Sequence, residues 1–128
     1  MPDFTLANLM EMKDLAAGRG VELEARFARD ALKSDHLGVS YFRYGSNVRS
    51  PIGHRHREQE EAYVVVSGSG RARIDDEIVD LKQWDVLRVA PTAVRSLEAG
   101  GDGLELIAIG SDRPEGGDGE MVEGFWAD

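Results

Sequence analysis

The chain contains no cysteine, which excludes a disulfide framework and any thiolate site. No apolar run approaches the roughly 18 residues needed to cross a bilayer, and the start MPDFTLANLMEMKDL lacks both a basic n-region and a long apolar stretch. The expectation is a soluble, cytoplasmic protein with no membrane partner. Positive charge is scarce: 15 Lys and Arg stand against 24 Asp and Glu, a formal net charge of −9. Such a field repels phosphate backbones and anionic headgroups, so nucleic acid is not an expected partner. There is no internal repeat, no phosphate-cradling glycine loop and no serine-nucleophile elbow. What is present is 128 residues, 41% hydrophobic with dispersed charge, enough for one domain with a single modest core.

Along the chain, FTLANLMEMKDLAAGRG carries Leu6, Leu9 and Met10 at helical spacing with Gly18 as a stop, which predicts a short helix interrupted at Lys13. VELEARF alternates Val21, Leu23, Ala25 and Phe27 with charged residues, the period of a half-buried strand, although EARFARDAL also suits a helical turn. From His36 onward the pattern is all-β. HLGVSYFRY and AYVVVSG are β-branched and aromatic, with the loop GSNVRSPIG between them. GRARI and EIVDL form a hairpin around Asp75-Asp76, which treats DDE as a turn rather than a calcium site. WDVLRVA, VRSLEA and LELIAI complete a series of short strands typical of a sandwich or barrel. The glycine-rich, acidic tail SDRPEGGDGEMVEGFWAD is expected to be irregular, with Phe125 and Trp126 folding back on the barrel wall or on a second subunit.

The chemistry is concentrated in GHRHREQEEAYVVVSGSG. Residues i and i+2 of an extended segment project to one side, so His54 and His56 can present two imidazoles to one point. Strand parity selects the third group: if Tyr63, Val65 and Ser67 face inward, so does Glu61, whereas Glu60 faces out with Ala62, Val64 and Val66. Two imidazoles and a carboxylate leave open coordination positions and suit Fe, Mn, Ni or Zn as the divalent ion. The competing reading makes HRHREQEE a solvated turn whose charges pair with one another. Glu58 and Glu60 are expected to be solvated charges in either case.

His54, His56, Glu61 and Gly68 at this spacing resemble the first motif of the cupin superfamily, and WDVLRVAPTAVRSLEA, ending its strand at Pro91, is similar to the second. The resemblance spans about residues 36–109 and implies an all-β, cupin-type jelly-roll (double-stranded β-helix) barrel with a ligand cavity at one mouth. The whole chain, 1–128, is then a single cupin domain, with an N-terminal extension over 1–35, a barrel core over 36–109 and a C-terminal tail over 110–128. It also implies a homodimer, for which the strand VELEARF offers an edge.

This chain departs from the family pattern at three positions. Trp84 and Thr92 stand where the second motif has glycines, and Arg95 stands where the family has a fourth ligand, a histidine. His36 falls outside the motif register and is expected at a strand edge, and Trp84 is expected as a core or rim aromatic rather than a stacking platform for substrate. Arginine is not a ligand and keeps its charge. About 5 Å from a divalent ion, at an effective dielectric near 20, it contributes roughly 6–7 kcal/mol of repulsion before screening. Three arrangements follow: Arg95 pairs with Glu61 and replaces the metal, it lies beyond a three-ligand metal and neutralises an anionic substrate, or it points outward.

Two functions are carried forward. In the first, His54, His56 and Glu61 hold a divalent metal that activates a small organic ligand or dioxygen, as in oxygenases, isomerases or decarboxylases, and Arg95 docks an anionic oxygen. Tyr41, Tyr63 and Arg43 are candidates for lining the cavity. In the second, the barrel is metal-free, a small-molecule-binding or isomerase-like protein in which His54 or His56 acts as a general base beside Glu61 and Arg95 takes the fourth ligand's place. A site without chemistry in a structural or partner-binding protein is the third alternative.

Overall fold

The computed structural model describes residues 2–126. Eight strands form one curled antiparallel sheet: β1 (Leu23–Phe27), β2 (Gly38–Tyr44), β3 (Gly53–His56), β4 (Glu61–Ile74), β5 (Glu77–Lys82), β6 (Val86–Val89), β7 (Arg95–Gly110) and β8 (Gly119–Val122). A single helical turn, α1 (Arg29–Leu32), links β1 to β2. The two long strands, β4 and β7, pair with each other over nearly their whole length and run through both halves of the roll. In one half, β1 and β2 flank the C-terminal part of β7 and β6 flanks the start of β4. In the other half, β8 and β3 flank the start of β7 and β5 flanks the end of β4.

Period-two alternation explains which side chains fill the roll. Glu61, Tyr63 and Val65 of β4 face inward, as do Leu104, Leu106 and Ala108 of β7, and their cluster extends to Ala72, Leu81, Val89, Leu97 and Ala99. Leu106 is fully buried, and side chains of this size each stabilise the fold by about 1.5–3 kcal/mol.

Three expectations are corrected. The segments AYVVVSG and GRARI are one strand, as are VRSLEA and LELIAI. The glycines between them accommodate register shifts near Val65–Ser67 and Gly68–Gly70 rather than ending the ladder. Gly68 has φ +79°, and a Cβ there would run into the Gly103 carbonyl oxygen, so the motif glycine lets β4 cross β7 closely.

The predicted N-terminal helix is only a 3₁₀ turn, Leu9–Glu11. The Asn8 side chain accepts from the Met10 N–H, and the Arg26 guanidinium takes the Met10 and Met12 carbonyls, which a continuing helix would need for itself.

The tail is not wholly irregular, because β8 pairs with β3 from Gly53↔Val122 to His56↔Gly119. After β8, Phe125 lies on Gly53, and the Trp126 indole donates to Ser96 Oγ while the Arg49 guanidinium stacks on its ring. Both aromatics thus fold back on the barrel wall.

Candidate metal centre at the barrel mouth

On β3, His54 and His56 project to the same side, their rings edge-on with centroids 5.2 Å apart. Glu61 enters from the first position of β4. Its Oε1 lies 3.4 Å from His54 Nε2 and 3.3 Å from His56 Nε2. One ligand atom from each of the three residues falls within 4.8 Å of the other two. The Tyr63 hydroxyl donates to the same oxygen at 2.7 Å. Burial alone would push the Glu61 carboxyl up. Hydrogen bonds from His54, His56 and Tyr63 more than reverse that, and it titrates well below the ordinary carboxylate range.

The orientation of His56 is fixed from behind by Asp118, which no pattern in the sequence singles out. Asp118 is 3% exposed and accepts from His56 Nδ1 at 2.9 Å, from Gln59 Nε2 at 2.6 Å, and from the backbone N–H groups of Glu58 and Gln59 at 2.7 and 2.9 Å. Burial works against its ionisation, but these donors hold its carboxyl well below the usual range. With Nδ1–H held by Asp118, loss of the Nε2 proton that bonds Glu61 leaves a lone pair directed into the triad, the tautomer that ligating histidines adopt when a carboxylate supports them. The hydrogen bond to Glu61 pushes the His56 pKa up, burial opposes this, and Asp118 adds to the rise. The donor set fits a divalent ion with N and O ligands: two imidazole nitrogens, an ionised carboxylate and a supported tautomer.

Arg95 points inward, which removes the outward arrangement. Its side chain is 1% exposed, and its Nη2 lies 3.6 Å from Glu61 Oε1. Cross-strand pairing of His54 with Arg95 brings it there. Its other donors do not face a ligand, however. Nη1 donates to the Pro91 and Ala93 carbonyls at 3.1 and 3.0 Å and Nη2 to Ala90 at 3.4 Å, whereas buried Nε has no partner among the described residues. The donors of Arg95 that the structure pairs are thus committed to the 90–93 carbonyls and to Glu61. Its charge acts on Glu61, and its hydrogen bonds hold the loop between β6 and β7.

The remaining candidates separate by face. Tyr63 lines the interior. Tyr41 and Arg43 do not, because Ser40, Phe42 and Tyr44 occupy the inward positions of β2. Tyr41 lies on the outer face, its pKa pushed up to about 12 by burial and a hydrogen bond to Glu105, and Arg43 pairs with Glu24 at 3.2 Å. His36 sits at the surface, 2.7 Å from Asp112. Glu60 is exposed and pairs with Arg88, whereas Glu58 lends its backbone N–H to Asp118. Trp84 is 67% exposed at φ +73°, the left-handed conformation for which glycine is better suited, so it is not a core residue. The DDE segment is the β4–β5 turn, with Asp75 accepting from the Val94 N–H.

No protein-family model matches the sequence, and no curated protein matches it. Solved structures do. A cupin protein from Bacteroides fragilis superposes with TM-score 0.72 at 23% identity, covering 99% of this chain and 94% of that one. Oxalate decarboxylase from Bacillus subtilis, in a variant form, gives TM-score 0.72 at 20% identity over 93% of this chain and 33% of that one. Salicylate 1,2-dioxygenase from Pseudoaminobacter salicylatoxidans, in adducts with gentisate, gives 0.63 at 17% over 71% and 25%. These likenesses show the fold: the chain is an all-β cupin barrel. Among the described residues, no helix is long and apolar enough to cross a membrane.

Proposed function

We propose that the protein binds a divalent metal through His54, His56 and Glu61 and uses it on a small anionic organic molecule at the barrel mouth. The observation that carries this reading is the Asp118–His56 hydrogen bond at 2.9 Å, which turns His56 Nε2 toward Glu61 and His54. A bound ion of this kind would supply Lewis acidity or bind dioxygen at its open positions. Around it, Asp118 holds the His56 tautomer, Tyr63 orients Glu61, and Arg95 offsets the carboxylate charge from behind. The structural neighbours named for acting on oxalate and salicylate, both small carboxylates, support a ligand of that class. Whether the reaction is an oxygenation, an isomerisation or a decarboxylation depends on the ion and the ligand together.

A second reading rests on Arg95 Nη2 at 3.6 Å from Glu61. In it the guanidinium replaces the ion and His54 or His56 serves as general base in a metal-free site. Elemental analysis of protein purified without tag or chelator, beside a His54→Ala/His56→Ala double variant, separates the two. Near-stoichiometric Fe, Mn, Ni or Zn lost in the variant supports the metal centre, and absence of metal after reloading supports the second reading.

A homodimer is also part of this proposal, but through a different surface from the β1 edge. Leu15 N–H already bonds the Ala25 carbonyl and covers part of that edge. The outer face instead carries exposed Trp84, Val86 and Ile109 beside Val64, an apolar area of the kind that homodimers bury. Light scattering of Val86→Asp beside the wild type tests it: a dimer that becomes a monomer supports this face, and a monomeric wild type removes it.

A further inference from the structure

We propose that Arg29 is the anion-binding residue of the mouth, holding the carboxylate of a small, apolar-bodied organic acid so that its reacting end lies over His56 and Glu61. This rests on the reading of that mouth as the functional site, but not on a metal being bound there. The mouth encloses a cavity of about 410 Å³, lined by Leu15, Phe27, Arg29, Ser40, His56 and Glu61 among others, a size that suits a small ligand.

Arg29 is positioned rather than loose. It starts the single turn α1, and its Nη2 donates to Gln59 Oε1 at 3.1 Å and to the Ser111 carbonyl at 2.8 Å. Gln59 is 6% exposed and is itself anchored on Asp118. One buried carboxylate thus orients both His56 and, through Gln59, the guanidinium. The Nε and Nη1 atoms of Arg29 have no partner among the described residues.

Two glycines make room for this arrangement. The guanidinium lies against Gly38, where any Cβ would displace it. A point one Cβ above Gly110 lies 3.5 Å from Arg29 Nη2, 3.3 Å from Gln59 Oε1 and 3.8 Å from Glu61 Oε2, and no side chain fills it. Glycine at 110 thus keeps the crowded corner where Arg29, Gln59 and Glu61 meet free of a side chain, and the edge of the guanidinium left for a ligand is Nε and Nη1, since Nη2 is held by Gln59 and Ser111. Arg113 adds a second positive group to the lining, its only ion-pair partner among the described residues being Asp30 at 3.6 Å.

The chemistry of the lining specifies the ligand class. A guanidinium with uncommitted N–H groups in a partly dry cleft selects an anionic oxygen pair over a neutral amide. Leu15 and Phe27 remain 50% and 46% exposed at the lip, large apolar side chains left for the body of a ligand to cover. A carboxylate attached to an aryl or short alkyl group satisfies both. Arg95 is buried among the 90–93 carbonyls and beside Glu61 Oε1, whereas Arg29 lines the cavity itself.

The test is titration of benzoate, with neutral benzamide as control, into metal-free and Zn-loaded full-length protein. Calorimetry gives the affinity, and the Nε–H resonance of Arg29 gives a local readout. Benzoate is expected to bind at least about 10-fold more tightly than benzamide, to lose about 10-fold or more in Arg29→Gln, and to shift the Arg29 Nε–H signal. Arg29→Lys, which keeps the charge but loses the planar donor set, is expected between the two.

Equal affinity in wild type and a folded Arg29→Gln overturns the inference, as does no saturable benzoate binding up to about 20 mM. If Arg29→Gln does not fold, an unmoved Arg29 Nε–H signal in the wild type overturns it. Arg29-dependent binding by a protein that retains no metal leaves this inference standing while the metal reading fails. Retained metal with Arg29-independent benzoate binding gives the reverse.

Discussion

Asp118→Asn removes one negative charge and no bulk from behind His56, and the structure gives its consequences in two currencies. The native carboxylate accepts from four donors: His56 Nδ1 and Gln59 Nε2 on Oδ1, and the N–H groups of Glu58 and Gln59 on Oδ2. An amide has a single oxygen to offer. If that oxygen stays on the backbone N–H groups, its NH₂ faces His56 Nδ1, which then accepts, and the ring proton moves to Nε2 where the ion should bind. If the oxygen turns to His56, the backbone N–H groups of Glu58 and Gln59 are left facing an NH₂, the Gln59 one in a buried position. The first orientation weakens metal binding, and loss of such a supporting hydrogen bond typically costs 10–100-fold, about 1.4–2.7 kcal/mol. The second costs about 1–3 kcal/mol of stability, chiefly for the Gln59 N–H, the buried one of the two. Competition of wild-type and variant protein against a chromophoric chelator for Zn, with urea unfolding run alongside, reads both quantities. A folded Asp118→Asn that binds Zn within about threefold of wild type would refute the tautomer argument and with it the role assigned to Asp118.

Glu61→Gln should abolish metal retention and also destabilise the metal-free protein by about 3 kcal/mol, because the buried Arg95 charge loses its only carboxylate among the described residues. Urea unfolding checks this, and an unchanged midpoint would mean that the carbonyl cage alone accommodates Arg95. The pH dependence follows from His56, whose folded pKa lies above 6.5. In the metal-free protein its contribution is fully present below pH 6.5 and is lost as pH rises through the folded value. Metal affinity should rise over that same window as the competing proton leaves, and chelator competition at several pH values should show opposite slopes for stability and affinity. For Glu61 the sign reverses: its contribution is present above 4.5 and lost as pH falls further, so the metal-free protein should weaken in acid. Gly68→Ala should cost about 2–3 kcal/mol by thermal unfolding, since it combines a positive φ with a clash against the Gly103 carbonyl. A loss below about 0.5 kcal/mol would show that the crossing of β4 and β7 relaxes easily.

The site was legible where it depended on strand periodicity. The i, i+2 spacing put His54 and His56 on one side, and parity along β4 selected Glu61 over Glu60, which the structure turns outward toward Arg88. Parity was equally available for Tyr41, but its inward or outward sense is set by the neighbours of β2, and Phe42 and Tyr44 took the core positions. Asp118 was not legible because its role comes from the pairing of β8 with β3, a contact over some 60 residues that leaves no local pattern. The rule that a ligating imidazole needs an acceptor on its other nitrogen called for a carboxylate there, but among 24 acids it named none. Arg29 escaped for a similar reason, since its partners Gln59 and Ser111 lie far along the chain. The long strands were misjudged at Gly68 and Gly100-Gly101 because glycine signals both a turn and a bulge, and only the cross-strand partner decides which.

Anomalous diffraction from crystals grown with Mn, recorded on both sides of the metal edge, shows directly whether His54, His56 and Glu61 hold an ion. One strong peak is expected about 2.0–2.3 Å from His54 Nε2, His56 Nε2 and a Glu61 oxygen, with Asp118 still on His56 Nδ1 and Arg95 still held by the 90–93 carbonyls. No peak at this position at saturating Mn, with Arg95 remaining paired to Glu61, would contradict the metal reading.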